Sequence, residues 1–169
     1  MIEQYIGKVE RNIYKPPIFL TLIRMNDKYL VRLSDTHFRF RDFSIEFRDK
    51  TDATTAFNLL ATALPNFASF FEKLLFELDK NYACNPYRVN VRLAPFLPTS
   101  CSIVFSFPEC FTPRSSFMSF LITYDEATDE IRASFVSVPP DAERLIQNSL
   151  SGIKQFFRVL THALKHSSK

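Results

Sequence analysis

Near the C-terminus, Ile146, Leu150, Ile153, Phe157, Leu160 and Leu164 follow one another in alternating steps of four and three. Apolar residues at that spacing line one side of a helix, and such a helix is stable only against a partner. The spacing lies close to the period of about 3.5 residues that winds two helices around each other, where a helix on a globular core follows about 3.6. We therefore expect a break at Pro139 and Pro140, an N-cap at Asp141, and a helix that enters a parallel coiled coil with a second copy of the chain. Gly152 inside the helix and the bulk of Phe157 predict a weak dimer.

The residues before that helix read mainly as strands. "IFLTLIRM" (18–25) and "KYLVRLS" (28–34) are apolar and joined by a short polar turn, the pattern of an antiparallel hairpin; pairing is expected to begin only after Pro16 and Pro17. In "HFRFRDFSIEF", Phe38 and Phe40 are out of phase with Phe43, Ile45 and Phe47, which predicts a bend near Asp42. Thr51 and Asp52 can cap a helix that Pro65 stops, and Asn66 can cap a second one, giving a helical hairpin over about 51–79. Strand signals resume at 87–93, 101–107, 116–124 and 130–138. The expected fold is α+β: an antiparallel β-sandwich or barrel head (1–138) with an inserted helical hairpin, then a dimerisation helix (139–169).

Two glycines among 169 residues leave no material for phosphate-cradling loops, nucleophile elbows or dinucleotide fingerprints, all of which need glycine where the backbone bends tightly or nears a ligand. Cys84, Cys101 and Cys110 form no C-x-x-C pair and have no histidine close in sequence, so reduced thiols and no metal are expected. His162 and His166 lie on the terminal helix and His37 stands beside Asp35, which assembles no nucleophile and base. "DEATDE" (125–130) lacks the central glycine of a calcium loop and reads as a solvated turn. No enzyme, cofactor or metal is expected. A net charge of +3 is well short of a polybasic signature. No apolar stretch of signal-peptide or membrane-span length stands out, so an intracellular chain is expected.

Three segments could make contacts. "HFRFRDF" interleaves His37, Arg39 and Arg41 with aromatics, as a nucleic-acid surface does; the plainer reading is a strand with its apolar face inward and its basic face solvated. The phenylalanines of "NFASFFEKLLFEL" could line a peptide groove, but their helical spacing is that of any helix covering a sheet. In "FPECFTPRSSF", prolines stiffen a loop that carries Phe111, a candidate docking knob.

The order of strands, helical insert, strands and long helix resembles the head domain shared by the centriolar cartwheel protein (spindle assembly abnormal protein six), its basal-body paralogue and end-joining scaffolds of the XLF type. "DKYLVRLSD" is similar to the cartwheel strand that ends in a leucine-threonine-aspartate turn. "ALPNFASFFEKLL" matches, at Leu64, Phe67, Phe71, Leu74 and Leu75, the apolar positions of its following helix, though not that helix's proline. "FLITYDEATDEIRASFVSVPPDAERLIQNSL" is similar in layout to its last hairpin and entry into the coiled coil. The cartwheel family closes rings with a phenylalanine at that hairpin tip, where this chain has Ala127, and "FLPTSCSIVFSFPECFTPRS" is longer than the family's connection.

The resemblance implies a self-assembling scaffold of a centriole or basal body, cytoplasmic, with no membrane contact. Its partners would be itself and other scaffold proteins. Dimerisation would fall to the terminal stripe, and head contacts to Phe111 with Asp125, Glu126 and Ala127. The alternative it implies is a nuclear double-strand-break scaffold that meets DNA through Arg39, Arg41, Arg88 and Arg92.

Overall fold

The computed structural model describes residues 3–94, 97 and 99–168. Met1, Ile2, Pro95, Phe96, Pro98 and Lys169, which fall at the ends of the expected head and helix and in the long connection, lie outside the described residues. The chain is α+β. Four strands, β1 (Glu3–Arg11), β2 (Ile18–Met25), β3 (Lys28–Asp35) and β4 (Ser44–Phe47), are followed by helix α1 (Lys50–Tyr82). Four more, β5 (Asn90–Leu93), β6 (Ser100–Phe107), β7 (Met118–Asp125) and β8 (Glu130–Val136), are followed by α2 (Pro140–Lys165). Each set of four pairs in sequence order into its own antiparallel sheet. The molecule is thus one unit, a four-strand meander and a helix, used twice.

The strand faces follow from period-two alternation. On β6 the residues Cys101, Ile103, Phe105 and Phe107 point inward and the serines between them outward. The β2–β3 turn is the two residues Asn26 and Asp27, with Asn26 at φ 56°, a conformation that asparagine tolerates. The bend expected near Asp42 is present, with Asp42 also at positive φ, but only Ser44–Phe47 of "HFRFRDFSIEF" is strand. β1 was not foreseen, because its residues are mostly exposed at a sheet edge and its register shifts between Tyr5 and Gly7.

The expected helical hairpin is instead one continuous helix. α1 runs through Pro65, and its N-cap is Asp49, whose carboxylate accepts from the Asp52 amide. Pro65 removes one amide donor. On either side of it Leu60, Leu64, Phe67, Phe71, Leu74 and Leu78 all face the same core, so burial keeps both halves on one axis. α1 is long and apolar enough to cross a membrane, but its apolar side is buried within this fold.

The stripe expected to form a coiled coil is turned into its own chain's core instead. Ile146, Leu150, Ile153, Phe157 and Leu160 are buried within their own chain, and Leu164 packs against the same core. Phe156, Val159 and Ala163 are buried beside them, so α2 presents a broad face to the same globular core that the strands line. Phe67 of α1 stacks on Phe156 of α2 at 4.4 Å between ring centroids and also touches Phe105 of β6. Residues from both sheets and both helices belong to one core.

Candidate binding surface

The expected contact residues do not come together. Phe111 lies in the β6–β7 connection, whereas Asp125, Glu126 and Ala127 lie in the β7–β8 turn at the other end of β7. That turn is committed to its own chain. Asp125 accepts from the Ala127 amide, the Glu126 amide donates to Thr99, and Lys165 of α2 reaches the Glu126 carboxylate at 2.8 Å. Asp129 accepts from the Tyr124 hydroxyl at 2.7 Å and meets Arg158 and Lys154 of α2 at 3.0 and 3.1 Å. These donors, Tyr124 first, hold the Asp129 carboxyl well below the usual carboxylate range.

At the opposite end, the loops are fastened by Arg39. Its side chain and that of Asp35 are fully buried and form an ion pair. Arg39 Nη1 donates to the carbonyls of Lys15 (2.8 Å) and Pro86 (2.9 Å), and Nη2 to Pro16 (2.9 Å). Its own carbonyl accepts from Val91 at 2.7 Å. One guanidinium therefore joins the β1–β2, β3–β4 and α1–β5 connections. Burial lowers its pKa from the ordinary value while Asp35 opposes that shift, and it stays charged. The sequence placed Arg39 on a solvated face; an arginine that satisfies three carbonyls and a carboxylate is instead the fastener of a loop cluster.

The β6–β7 connection joins the same cluster. α1 ends at Ala83 in the left-handed region, which turns the chain so that Cys84 meets Cys110 in a disulfide; the expectation of three reduced thiols is corrected for this pair. Cys101 remains a free thiol, buried, with its pKa pushed up to about 12 by that burial. The Asn85 amide donates to Glu109 at 3.0 Å, the Phe111 amide donates to Tyr82 at 2.6 Å, and Arg88 pairs with Glu109 at 3.3 Å.

On this anchored backbone stand the two most exposed large apolar side chains among the described residues, Phe111 at 79% and Phe38 at 71%. Phe117, close to Phe111 in sequence, and Tyr87 are also exposed, and the Tyr87 ring lies 4.8 Å from that of His37. Lys15, Arg41, Arg88 and Arg114 are exposed cations on the same connections. Behind the Phe111 loop, a cleft of about 620 Å³ is lined by Arg114, Phe135, Val138, Pro139 and Glu143. Sequence reasoning found Phe111 through its prolines but missed Phe38 and Tyr87 as surface groups. The signal for Phe38 was the failure of "HFRFRDF" to keep one phase with the strand that follows it; Tyr87 had none.

Among the described residues, no group of three or more His, Cys, Asp or Glu could hold a metal ion. Comparison with protein-family models, with curated proteins and with solved structures finds no match to this chain.

Proposed function

We propose that the chain is a non-enzymatic binding module that holds a partner on the loop end fastened by Arg39 and the Cys84–Cys110 disulfide. The observation that carries this reading is the placement of Phe111 and Phe38. Two large rings stand in solvent on loops whose backbones are fixed from below. Exposed rings on floppy loops would lose conformational entropy on binding; rings on pinned loops lose little, and aromatic anchors of this kind dominate the energetics of small interfaces. The scarcity of glycine, which leaves no material for phosphate loops or nucleophile elbows, is consistent with a role without catalysis.

A scaffold role, at a centriole or basal body, would rest on this end alone, since the α2 stripe is occupied inside its own chain. The test is the location of a tagged copy in cells. The wild type should concentrate on one structure, and Phe38→Ser/Phe111→Ser should be diffuse at equal abundance and with an unchanged melting temperature. A variant that still concentrates there would move the contact surface elsewhere.

A further inference from the structure

The pinned end has two unlike halves. Around Phe111 lie prolines and the cleft; around Phe38 lie a tilted pair of rings, His37 and Tyr87, and cations. We propose, resting on the binding-module reading above, that the Phe38 half takes single-stranded nucleic acid. Bases would stack on Phe38 and on the His37–Tyr87 pair, and phosphates would meet Lys15 and Arg41.

The first argument is the direction of Phe38. In "HFRFRDF" the neighbouring Phe40 and Phe43 are both buried, and Phe38 alone is turned out. It is turned out by its backbone, at φ 56°, where a bulky side chain is rarely found. That conformation is imposed by Asp35, whose Oδ1 accepts from the amides of His37 and Arg39 at 3.0 and 3.1 Å while its Oδ2 holds the Arg39 guanidinium. A buried ion pair thus maintains an exposed ring in a strained position, and such positions concentrate at functional sites.

The second argument is the platform beside it. The rings of His37 and Tyr87 lie at 36° to each other, with both residues exposed, and the Tyr87 amide donates to Asn85 Oδ1 at 3.0 Å, which sets the loop that carries it. A paired ring has one face covered and one face free, which is the geometry on which a base stacks without regard to sequence.

The third argument is charge. Lys15 and Arg41 are exposed cations. Two of the carboxylates nearby are paired with cations, Asp35 with Arg39 and Glu109 with Arg88, while Asp79 accepts from the neutral Tyr14 hydroxyl at 2.7 Å. Only Asp42 stands exposed without a partner shown among the described residues. The exposed cations of the Phe38 half that no carboxylate is shown to pair among the described residues are thus Lys15 and Arg41. Duplex DNA would hide the base faces that the rings need, so the occupant is a single strand.

Fluorescence anisotropy with a labelled short oligothymidine, and with a duplex of the same length, decides the matter. The single strand should bind more tightly than the duplex. Phe38→Ala and Tyr87→Ala should each weaken it by about tenfold or more, as loss of base stacking does. Arg41→Gln should lower the slope of log affinity against log salt by about 0.7. Thermal melts confirm that each variant is folded; should Phe38→Ala fail to fold, Tyr87→Ala carries the test. Equal binding of duplex and single strand, unchanged by either ring variant, would overturn the proposal, as would no binding at about 50 mM salt. If the oligonucleotide does not bind while Phe38→Ser/Phe111→Ser still disperses the tagged protein in cells, the end holds a protein and only the nucleic-acid assignment falls. If neither effect is seen, the binding-module reading falls with it.

Discussion

The guanidinium of Arg158, on α2, lies 3.0 Å from the carboxylate of Asp129, at the tip of the β7–β8 hairpin, and so ties the last helix to the last turn of its own sheet. Tyr124 and Lys154 complete the ring of donors around that carboxylate. Because the folded state holds the Asp129 pKa below that of the unfolded chain, its contribution to stability is fully present above about pH 4 and is lost as pH falls through the lower folded value. Wild type and Asp129→Asn should therefore differ in melting temperature at neutral pH and converge toward about pH 2. A difference that stays constant across that range, followed by differential scanning calorimetry, would show that the carboxylate's ionisation is not involved.

Removing Arg39 while leaving Asp35 strands a carboxylate whose side chain is fully buried. Breaking one partner out of a buried pair costs about 3–5 kcal/mol. Arg39→Met should lose stability of that order in urea unfolding and should loosen three loops together, visible as faster amide exchange around Lys15, Phe38 and Pro86. Asp35→Asn/Arg39→Met should be less destabilised than the sum of the single variants.

Leu160 is fully buried in its own chain. Leu160→Ala should lower unfolding stability by about 2–5 kcal/mol, the usual cost of a core truncation, and leave the sedimentation coefficient of the folded protein unchanged. A variant that alters the oligomeric state and not the stability of the monomer would restore the coiled-coil seam.

Gly152 sits inside α2, on its exposed side, and a Cβ built there meets nothing within 4 Å. Gly152→Ala should stabilise by about 1 kcal/mol, because alanine restricts the unfolded chain and favours the helix. The melting temperature should rise by about 2–4 °C.

Those strands whose two faces differ were legible in the sequence. β2 and β3, and the hairpin of β7 and β8, lie close to where alternation put them, since burying one face forces a period of two. The α2 helix was legible, but not what it packs against. Periods of about 3.5 and about 3.6 diverge by only about 20° per heptad, too little to separate over a helix of this length. The better sign was the width of the apolar side, with Phe156, Val159 and Ala163 flanking the stripe. α1 was cut at Pro65 because the local rule for proline was given more weight than the shared facing of Leu64 and Phe67. In the binding surface, Phe111 could be read from a proline-bounded loop. Arg39 could not, because its carbonyl partners at Lys15, Pro16 and Pro86 belong to segments far away in sequence.

The use of one meander-and-helix unit twice has a consequence for how the chain can be divided. Phe67, from the first unit, is wedged between Phe156 and Phe105 of the second, so neither unit owns a complete interior. A cut in the Cys84–Pro86 stretch would look, from the element order, like a natural seam. With the Cys84–Cys110 bond that still joins them reduced, the two fragments would each bare a helix face, precipitate singly and regain solubility when mixed. Any fusion, truncation or transplant of this protein has to carry both halves.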